Sequence, residues 1–221
     1  GLVACASVED YNNDRIKKHE FTRPQKEQDR LNHIDHLNAQ TGPVFLTYRA
    51  DNTINNLITK AMDAEPVYDF TGDYEVQHTL YVIDNQELIS NIKKAFSDID
   101  ALYVADGHHR SAAACRLQKQ RKDSNPQHNG EEEYNYFLSV IFPHNQMHIL
   151  DYNRVVKDIG DRSEQEFVDT VSEMFEVKEY STTEPFKPQK VHEFGMYLNG
   201  VWYKLTAKQD IFDASDPIES L

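Results

Sequence analysis

The stretch Ala101–Ala114, ALYVADGHHRSAAA, decides how the centre of this chain folds. Its apolar start, ALYVA, predicts a strand that ends near Ala105. Asp-Gly then makes a tight turn, and the alanine-rich residues after it predict a helix that begins at about His109. A turn alone needs only Asp-Gly, so two histidines and an arginine beside it indicate that an anion or a metal ion is held there.

Strand-like and helix-like segments follow one another without strict alternation, which predicts an α/β or α+β fold with a mixed sheet and flanking helices. The predicted strands are a buried strand at 1–8, PVFLTY at 43–48, VYDF, HTLYVID at 78–84, ALYVA, YFLSVIF and MHILDY. A polar turn, EDYNND, is predicted directly after the first of them. The predicted helices are one with Thr22 as N-cap and Pro24 in its first turn, 52–64 with Asn52 as N-cap, 85–99, about 109–122, and one opened by the capping box Ser163-x-x-Glu166.

The carboxyl-terminal part contains FGMYL-NG-VWYKLTA, in which Asn199-Gly200 predicts a hairpin with a type I′ turn. The 221 residues suit one large domain or two small ones. We expect one α/β region, 1–221, cut from a longer protein. The alternative is a subdivision into a part that carries the site, 1–150, and an α+β part, 151–221.

The composition argues against several classes of protein. A formal net charge of −14, from 23 basic and 37 acidic residues, disfavours binding to nucleic acid or to anionic membranes, because both require a basic surface. No apolar run approaches the roughly 20 residues of a membrane span, and the amino terminus lacks the pattern of an export signal. The two cysteines, Cys5 and Cys115, provide no disulfide framework, so a cytoplasmic location is expected.

The turn after ALYVA has the ingredients of a phosphate site. Amide groups at a helix start bind anions, Gly107 lets a ligand approach the backbone, and Arg110 can grip phosphate oxygens with its planar fork. Small residues, beginning with Ser111, let the helix pack beneath the turn. Two alternatives stay open. Either Asp106 is simply an N-cap beside solvated histidines, or the histidines bind a metal, which the lack of H-E-x-x-H or paired C-x-x-C motifs disfavours.

A second dense group of polar residues lies upstream, in KKHEFTRPQKEQDR. Glu20 is the candidate base for deprotonating a hydroxyl group. Arg23, Lys26 or Arg30 would stabilise the charge on a transferred phosphoryl group. The alternative is a solvated helix face with ion pairs such as Lys26–Asp29.

Two other groups of polar residues are weaker candidates. His33 and His36, three apart on a helix, fit a metal site together with His19, but an exposed helix surface is favoured. Asp151-Tyr-Asn-Arg154 follows a strand-like run, so Arg154 is expected at a strand end. There it would contact a phosphate or a substrate, or else form a surface salt bridge.

The DGHHR box and its surroundings resemble a known family. ADGHHRSAAA, with KKHEFTRPQKEQDR upstream and EEEYNYFLSVIFP downstream, is similar to a bacterial and archaeal domain-of-unknown-function family. That family is described as SerK-like, after an archaeal ADP-dependent kinase that phosphorylates free serine. The box also resembles the G-x-[HR]-R-x-x-A signature of the wider ParB and sulfiredoxin-like nucleotide-binding fold, which would place an element of that fold at residues 101–122. Gly107, His109, Arg110 and Ala113 match the shared positions.

The resemblance implies a nucleotide-binding phosphotransferase that uses ADP or ATP with Mg²⁺ to phosphorylate a small hydroxyl compound, serine being one example. His108 stands where sulfiredoxins have a cysteine, which disfavours redox chemistry of that type. Asp106 would orient the acceptor or the metal, and His108 would contact phosphate or shuttle a proton. The candidate residues are Glu20, Asp106 and His108 for catalysis and Gly107, His109, Arg110, Ser111 and Arg154 for nucleotide binding, with no protein metal ligand assigned.

Partners and alternative functions follow from the same expectations. A nucleotide and a small-molecule substrate are the expected partners, a homodimer is left open, and neither nucleic acid nor a membrane is expected. The first alternative is a nucleotide-sensing or scaffold protein that binds without transferring a group. A weaker alternative is a metal-dependent hydrolase that uses the histidines.

Overall fold

The chain divides into two compact units. A computed structural model describes residues 1–213 and places the division between Ile149 and Leu150. Among the residues described, the first unit has a five-stranded sheet and the second a three-stranded sheet. A separate two-stranded hairpin also belongs to the first unit.

The first unit places helices beside a mixed sheet, as the sequence predicts. Its helices and strands, in chain order, are β1 (Leu2–Ser7), α1 (Val8–Asn12), β2 (Ile16–Lys17), α2 (Pro24–Leu37), β3 (Val44–Tyr48), α3 (Asn52–Ala61), β4 (Tyr68–Thr71), β5 (Gln77–Leu80), α4 (Gln86–Ser97), β6 (Leu102–Asp106), α5 (His108–Asp123) and β7 (Tyr136–Pro143). The sheet order is β1-β7-β3-β6-β2. β2 is parallel to β6 and β3 to β7, whereas β1–β7 and β3–β6 are antiparallel, so the α/β class with a mixed sheet is confirmed.

The main core of the first unit forms on the central strands. Val44, Leu46 and Tyr48 of β3 are all buried, because alternate residues of a strand point to the same face. Val104 of β6 and Phe137 of β7 are completely buried in the same cluster. Full burial of side chains of this size stabilises a fold by about 1.5–3 kcal/mol each. The strand that precedes the DGHHR turn is therefore held firmly in place.

A smaller apolar cluster joins α2 to α5. Leu31 of α2 packs with Ala113 and Leu117 of α5, and all three are buried. Alanine at position 113 lets the two helices approach closely, whereas the sequence predicted packing of these small residues beneath the turn. This contact fixes α2 beside the helix that begins at the DGHHR turn.

Three helix starts differ from the sequence prediction. α2 has Arg23 rather than Thr22 as its N-cap, and the Thr22 hydroxyl instead donates to the carboxylate of Glu27. α3 is capped by Asp51 rather than Asn52, because the Asp51 carboxylate accepts the amide hydrogen of Ile54 at 3.0 Å. α5 begins at His108, one residue earlier than predicted.

The amino-terminal segment also differs from prediction. β1 is an edge strand, since it pairs only with β7 among the described residues, and Val3 is exposed rather than buried. The predicted polar turn EDYNND lies largely in the short helix α1, whose first amide groups are capped by the hydroxyl of Ser7. Val8 and Tyr11, three residues apart, are the buried residues of α1.

The second unit is an α+β arrangement. It contains α6 (Glu164–Met174), β8 (Phe175–Tyr180), β9 (Glu193–Leu198) and β10 (Val201–Ala207), with the antiparallel order β8-β10-β9. The predicted capping box at Ser163 and Glu166 is confirmed, and Asn199 and Gly200 turn the β9–β10 hairpin with positive φ angles of 43° and 90°. The predicted strand MHILDY is wrong, because residues 147–152 form no strand.

Candidate functional site

The candidate site lies where two neighbouring parallel strands end. β2 pairs with β6 so that Ile16 lies opposite Leu102. Because the two strands run in the same direction, the segments that follow them leave the sheet at the same edge. One segment is the β2–α2 loop, residues 18–23, and the other is the Gly107 turn with the start of α5. The two groups of polar residues, far apart in sequence, therefore meet.

The start of α5 forms an anion cradle, which we define as the backbone and side chains of Gly107–Arg110. Gly107 is the N-cap residue and has a φ of +96°, a backbone angle that residues other than glycine rarely adopt. A Cβ atom at this position would lie 3.4 Å from both Arg110 Nη1 and the Cα of Val44. The first turn of α5 carries no acidic residue, so the positive end of the helix dipole is not neutralised by its own helix.

His108 is the buried member of the cradle. Its side chain is 3% exposed, and its Nδ1 lies 3.3 Å from Oε2 of Glu20. The His19 ring meets the His108 ring edge-on, with ring centres 4.5 Å apart. Within residues 1–213, Nε2 of His108 has no hydrogen-bond partner. The alternative of solvated histidines is therefore wrong for His108.

The surroundings of His108 favour the neutral ring. Burial lowers its pKa below the usual value, and the neighbouring His19 and His109 act in the same direction. Glu20 and Asp106 oppose this shift but do not reverse it. Since a carboxylate has no proton to donate, the neutral tautomer that suits this 3.3 Å contact is the one with the proton on Nδ1.

Glu20 is the exposed member of this pair. Its side chain is 59% exposed, and its Oε2 lies 3.3 Å from Nδ1 of His108. One carboxylate oxygen faces the His108 ring, so the other can accept a proton from a ligand. This combination of a held carboxylate and an accessible oxygen is what a general base requires.

His109 ties the β2–α2 loop to α5. Its Nε2 accepts the backbone N–H of Arg23 at 3.1 Å, so this nitrogen carries a lone pair and the proton lies on Nδ1. Nε2 of His109 is thus already occupied, and a phosphate contact from this residue has to use Nδ1. Together with the Glu20–His108 contact, this bond fixes the loop at two points.

Arg110 lies on the outer side of the cradle. Its Nη1 donates to the carbonyl of Pro43 at 2.9 Å and lies 3.5 Å from Oδ2 of Asp106. These contacts hold the guanidinium while leaving several of its five N–H donors for an anion. Asp106 is 72% exposed and does not cap α5, so the interpretation of Asp106 as N-cap is wrong.

Ser111 and Arg154 are the two other residues that the sequence predicts for nucleotide binding. Ser111 is completely buried, and its hydroxyl donates to the backbone carbonyl of His108 at 3.1 Å. Arg154 belongs to the second unit, where it is exposed and stacks over the Tyr152 ring with a separation of 3.7 Å. No strand ends at Arg154, so that part of the prediction is wrong.

The basic residues of α2 do not form the ion pair expected of a solvated helix face. Within residues 1–213, no salt bridge joins Lys26 to Asp29, and the side chains of Lys26 and Arg30 are exposed without a carboxylate partner. The ion pairs of α2 run instead to α5, as in Arg116–Glu27 at 3.3 Å. Cationic charge on α2 thus remains available close to the β2–α2 loop.

The remaining histidines do not gather into a metal site. His33 and His36 are exposed on α2, and Nδ1 of His36 lies 2.9 Å from the backbone carbonyl of Asn32. Among the described residues, no three His, Cys, Asp or Glu side chains are placed to hold a metal ion.

Sequence reasoning missed the backbone groups of the site. The carbonyl of Pro43 and the amide of Arg23 carry no side-chain signal, and only the fold brings them to Arg110 and His109. The ring contact of His19 was also missed, although its position directly before Glu20 is visible in the sequence.

Comparison with known proteins identifies the family. The family described as "Protein of unknown function (DUF1015)" matches residues 1–221. The chain belongs to the DUF1015 family. No curated protein sequence and no solved structure matches this DUF1015 chain. Among its described residues, no helix is both long enough and apolar enough to cross a lipid bilayer.

Proposed function

We propose that this DUF1015 chain is a nucleotide-binding phosphotransferase of the SerK-like type, with its site at the anion cradle. The observation that carries the proposal is the contact between Glu20 and His108 at the start of α5. It brings the candidate base of one segment to the candidate phosphate site of another. The resemblance of the DGHHR box to ParB and sulfiredoxin-like nucleotide sites points in the same direction.

The cradle suits the phosphate groups of a nucleotide. Amide groups at a helix start point toward a bound anion, and the helix dipole favours negative charge at that end. Glycine at position 107 allows the φ of +96° that this turn requires, and a Cβ there would contact Arg110 and Val44. Arg110 adds a charged, planar donor for phosphate oxygens.

Glu20 is the base in the proposed reaction. The hydroxyl oxygen of the acceptor forms a bond to phosphorus, the bond from that phosphorus to the bridging oxygen of the nucleotide breaks, and the hydroxyl proton passes to Glu20. Arg110, with Arg23 or Lys26, stabilises the negative charge on the moving phosphoryl group. The acceptor is a small hydroxyl compound, of which serine is the example that the resemblance implies.

The two histidines of the cradle position the groups that take part in this reaction. His108 is too buried to touch a phosphate, so we assign it as a positioning residue that holds Glu20 through Nδ1–H. His109 positions the loop that carries Glu20 and offers its Nδ1–H to a phosphate oxygen. Ser111 packs within α5 and takes no direct part.

ADP or ATP would supply the phosphoryl group, and Mg²⁺ would bind with it. Mg²⁺ in such sites is held mainly by phosphate oxygens and one or two carboxylates. The exposed carboxylate of Asp106, beside the cradle, fits this requirement.

The first test is calorimetric titration of the chain with ADP, ATP and CTP, with and without Mg²⁺. We expect at least one nucleotide to bind, and Arg110→Ala to weaken that binding because it removes the guanidinium from the cradle. Arg121→Ala is the matched control, since Arg121 lies at the other end of α5 and binds Asp35 and Asn38. Equal losses in the two variants, or no binding by the unaltered chain, would contradict the proposed site.

A second test separates a kinase from a protein that only binds nucleotides. Candidate hydroxyl acceptors, beginning with serine, are incubated with the nucleotide that binds, and phosphorylated product is measured. Turnover that Glu20→Gln removes while nucleotide affinity is kept supports the enzyme. Tight binding without turnover by the unaltered chain favours the sensing or scaffold alternative.

A further inference from the structure

Phe21 is an exposed aromatic residue in the β2–α2 loop, next to Glu20. Its side chain is 88% exposed, one of the highest values for a large apolar residue in the described part of the chain. Within residues 1–213, its ring makes no aromatic contact and belongs to neither apolar core cluster of the first unit.

The position of Phe21 is fixed although its ring is free. Glu20, directly before it, contacts His108, and Arg23, two residues after it, donates its backbone N–H to His109. Successive Cα atoms are about 3.8 Å apart, so the Cα of Phe21 lies within about 8 Å of the Cα atoms of both anchors. Thr22 is held as well, through its hydroxyl bond to Glu27.

The chemistry around Phe21 does not explain why an aromatic residue stands there. The rest of the loop is polar or charged, in the run Lys18-His-Glu-Phe-Thr-Arg23. Exposing a large apolar ring to water has a cost that burial against an apolar surface would remove. A free ring whose neighbours in the chain, Glu20 and Arg23, contact the anion cradle is suited to an incoming flat, apolar group.

We infer that Phe21 forms a base subsite, a platform on which the aromatic base of a nucleotide stacks while its phosphates lie in the anion cradle. The inference rests on the proposed function, because it needs phosphates at Gly107–Arg110. Bases stack on aromatic side chains in proteins that bind single-stranded nucleic acid, and such stacking tolerates different bases because every base has a π face. The subsite thus selects nucleotides over ligands that carry phosphates alone.

The test compares a ligand that has a base with one that lacks it. ADP and inorganic pyrophosphate, each with Mg²⁺, are titrated calorimetrically into the unaltered chain, Phe21→Ala and Phe21→Trp. We expect Phe21→Ala to weaken ADP binding about tenfold and to leave pyrophosphate binding unchanged. Phe21→Trp, which keeps a stacking surface, should retain ADP affinity. Tyr74→Ala is the matched control, because Tyr74 is 97% exposed and lies in the β4–β5 turn.

The outcomes separate the base subsite from the proposed function. Equal weakening of ADP and pyrophosphate by Phe21→Ala, or no weakening of either, would overturn the base subsite and leave the anion cradle standing. Failure of both ligands to bind the unaltered chain would overturn the anion cradle and the base subsite together. Weakening of ADP binding alone in Phe21→Ala, with affinity kept in Phe21→Trp, is the result that the inference requires.

Discussion

Two histidine–glutamate pairs in the first unit make their contact through the same atoms but differ in the hydrogen bonding around the glutamate. In both, Nδ1 of the histidine faces Oε2 of the glutamate, at 3.3 Å for His108–Glu20 and 2.9 Å for His128–Glu132. The first pair joins segments far apart in the sequence, and the second lies within one loop between α5 and β7. The comparison distinguishes a pair with a structural role, His128–Glu132, from a pair whose glutamate can still bind a ligand, His108–Glu20.

Both side chains of the His128–Glu132 pair have hydrogen-bond partners within their own loop. The Glu132 carboxylate accepts the backbone N–H groups of Asn129 and Gly130 at 2.8 and 3.0 Å and the amide of Asn135 at 3.0 Å. Desolvation acts to raise the pKa of Glu132, but these hydrogen bonds outweigh it and lower the pKa to about 2. His128 in turn stacks on Tyr134 and lies 2.9 Å from its hydroxyl.

The His108–Glu20 pair is open to solvent on the Glu20 side, whereas the His108 ring is buried. Glu20 keeps an exposed carboxylate, and Nε2 of His108 is buried without a partner among the described residues. Leaving a buried polar atom unpaired costs a fold about 1–3 kcal/mol, so proteins keep few such atoms. Saturated hydrogen bonding marks a structural pair, and unused hydrogen-bonding capacity beside a helix start marks a functional one.

The largest expected effect contrasts the two carboxylates. Glu20→Gln should lower the rate of phosphoryl transfer by about 100- to 10,000-fold, because an amide cannot accept the hydroxyl proton. Glu132→Gln should leave that rate unchanged, since Glu132 is engaged by its own loop. Product formation at saturating nucleotide measures both. A Glu20→Gln variant with full activity would show that Glu20, like Glu132, has no catalytic role.

The next effect contrasts two glycines with nearly equal backbone angles. Gly107 and Gly130 have φ values of +96° and +93°, so alanine at either position should lower the free energy of unfolding by about 1–2 kcal/mol. Only at Gly107 would the new Cβ meet other atoms, those of Arg110 and Val44. We therefore expect Gly107→Ala alone to weaken nucleotide binding, by at least tenfold in calorimetric titration. Equal affinity of the two alanine variants would show that the cradle is not the binding site.

A smaller effect probes the His128–Glu132 pair. Tyr134→Phe removes the hydroxyl that contacts His128 and Asn125, so the free energy of unfolding of the first unit should fall by about 1 kcal/mol. Nucleotide affinity should stay the same. Because Trp202, the single tryptophan, lies in the second unit, amide hydrogen exchange of the first unit is the suitable measurement. A change in affinity without a change in stability would contradict the structural role.

The smallest effect is a pH dependence of stability. The pKa of His108 is lowered in the folded chain, chiefly by burial, so below about pH 6.5 the unfolded chain binds a proton more readily than the folded chain. Stability therefore falls as the pH drops below 6.5 through the folded pKa of His108, and it is unaffected by this residue above 6.5. His108→Leu should reduce that fall, measured by hydrogen exchange at a series of pH values. An equally steep fall in the variant would remove His108 as its cause.

Local sequence signals predicted much of the fold. The apolar run ALYVA, the capping box at Ser163 and the Asn199-Gly200 turn all depend on residues close together in the chain, and all three are confirmed. The wrong N-caps, Thr22 and Asn52, each lie one residue from the true one. At α3 the neighbouring Asp51 caps the helix instead, and at α2 Arg23 makes no side-chain capping bond that a sequence pattern could reveal.

The assembly of the candidate site could not be predicted in this way. It depends on β2, a strand of two residues, pairing with β6, and such a short strand leaves no periodic pattern to recognise. The sequence pointed to Glu20 and to the DGHHR box separately, and only the pairing brings them within hydrogen-bonding distance. The burial of Ser111 likewise depends on tertiary packing beneath the turn.

The most direct test of the account follows the histidine side chains by NMR while ADP and Mg²⁺ are added. Assigned imidazole nitrogen signals of His108 and His109 should shift with a common binding curve, because one holds Glu20 and the other borders the phosphates. The signals of His128, closed within its own loop, should not move. Unchanged signals from His108 and His109, or equal shifts at His128, would contradict a nucleotide site at the start of α5.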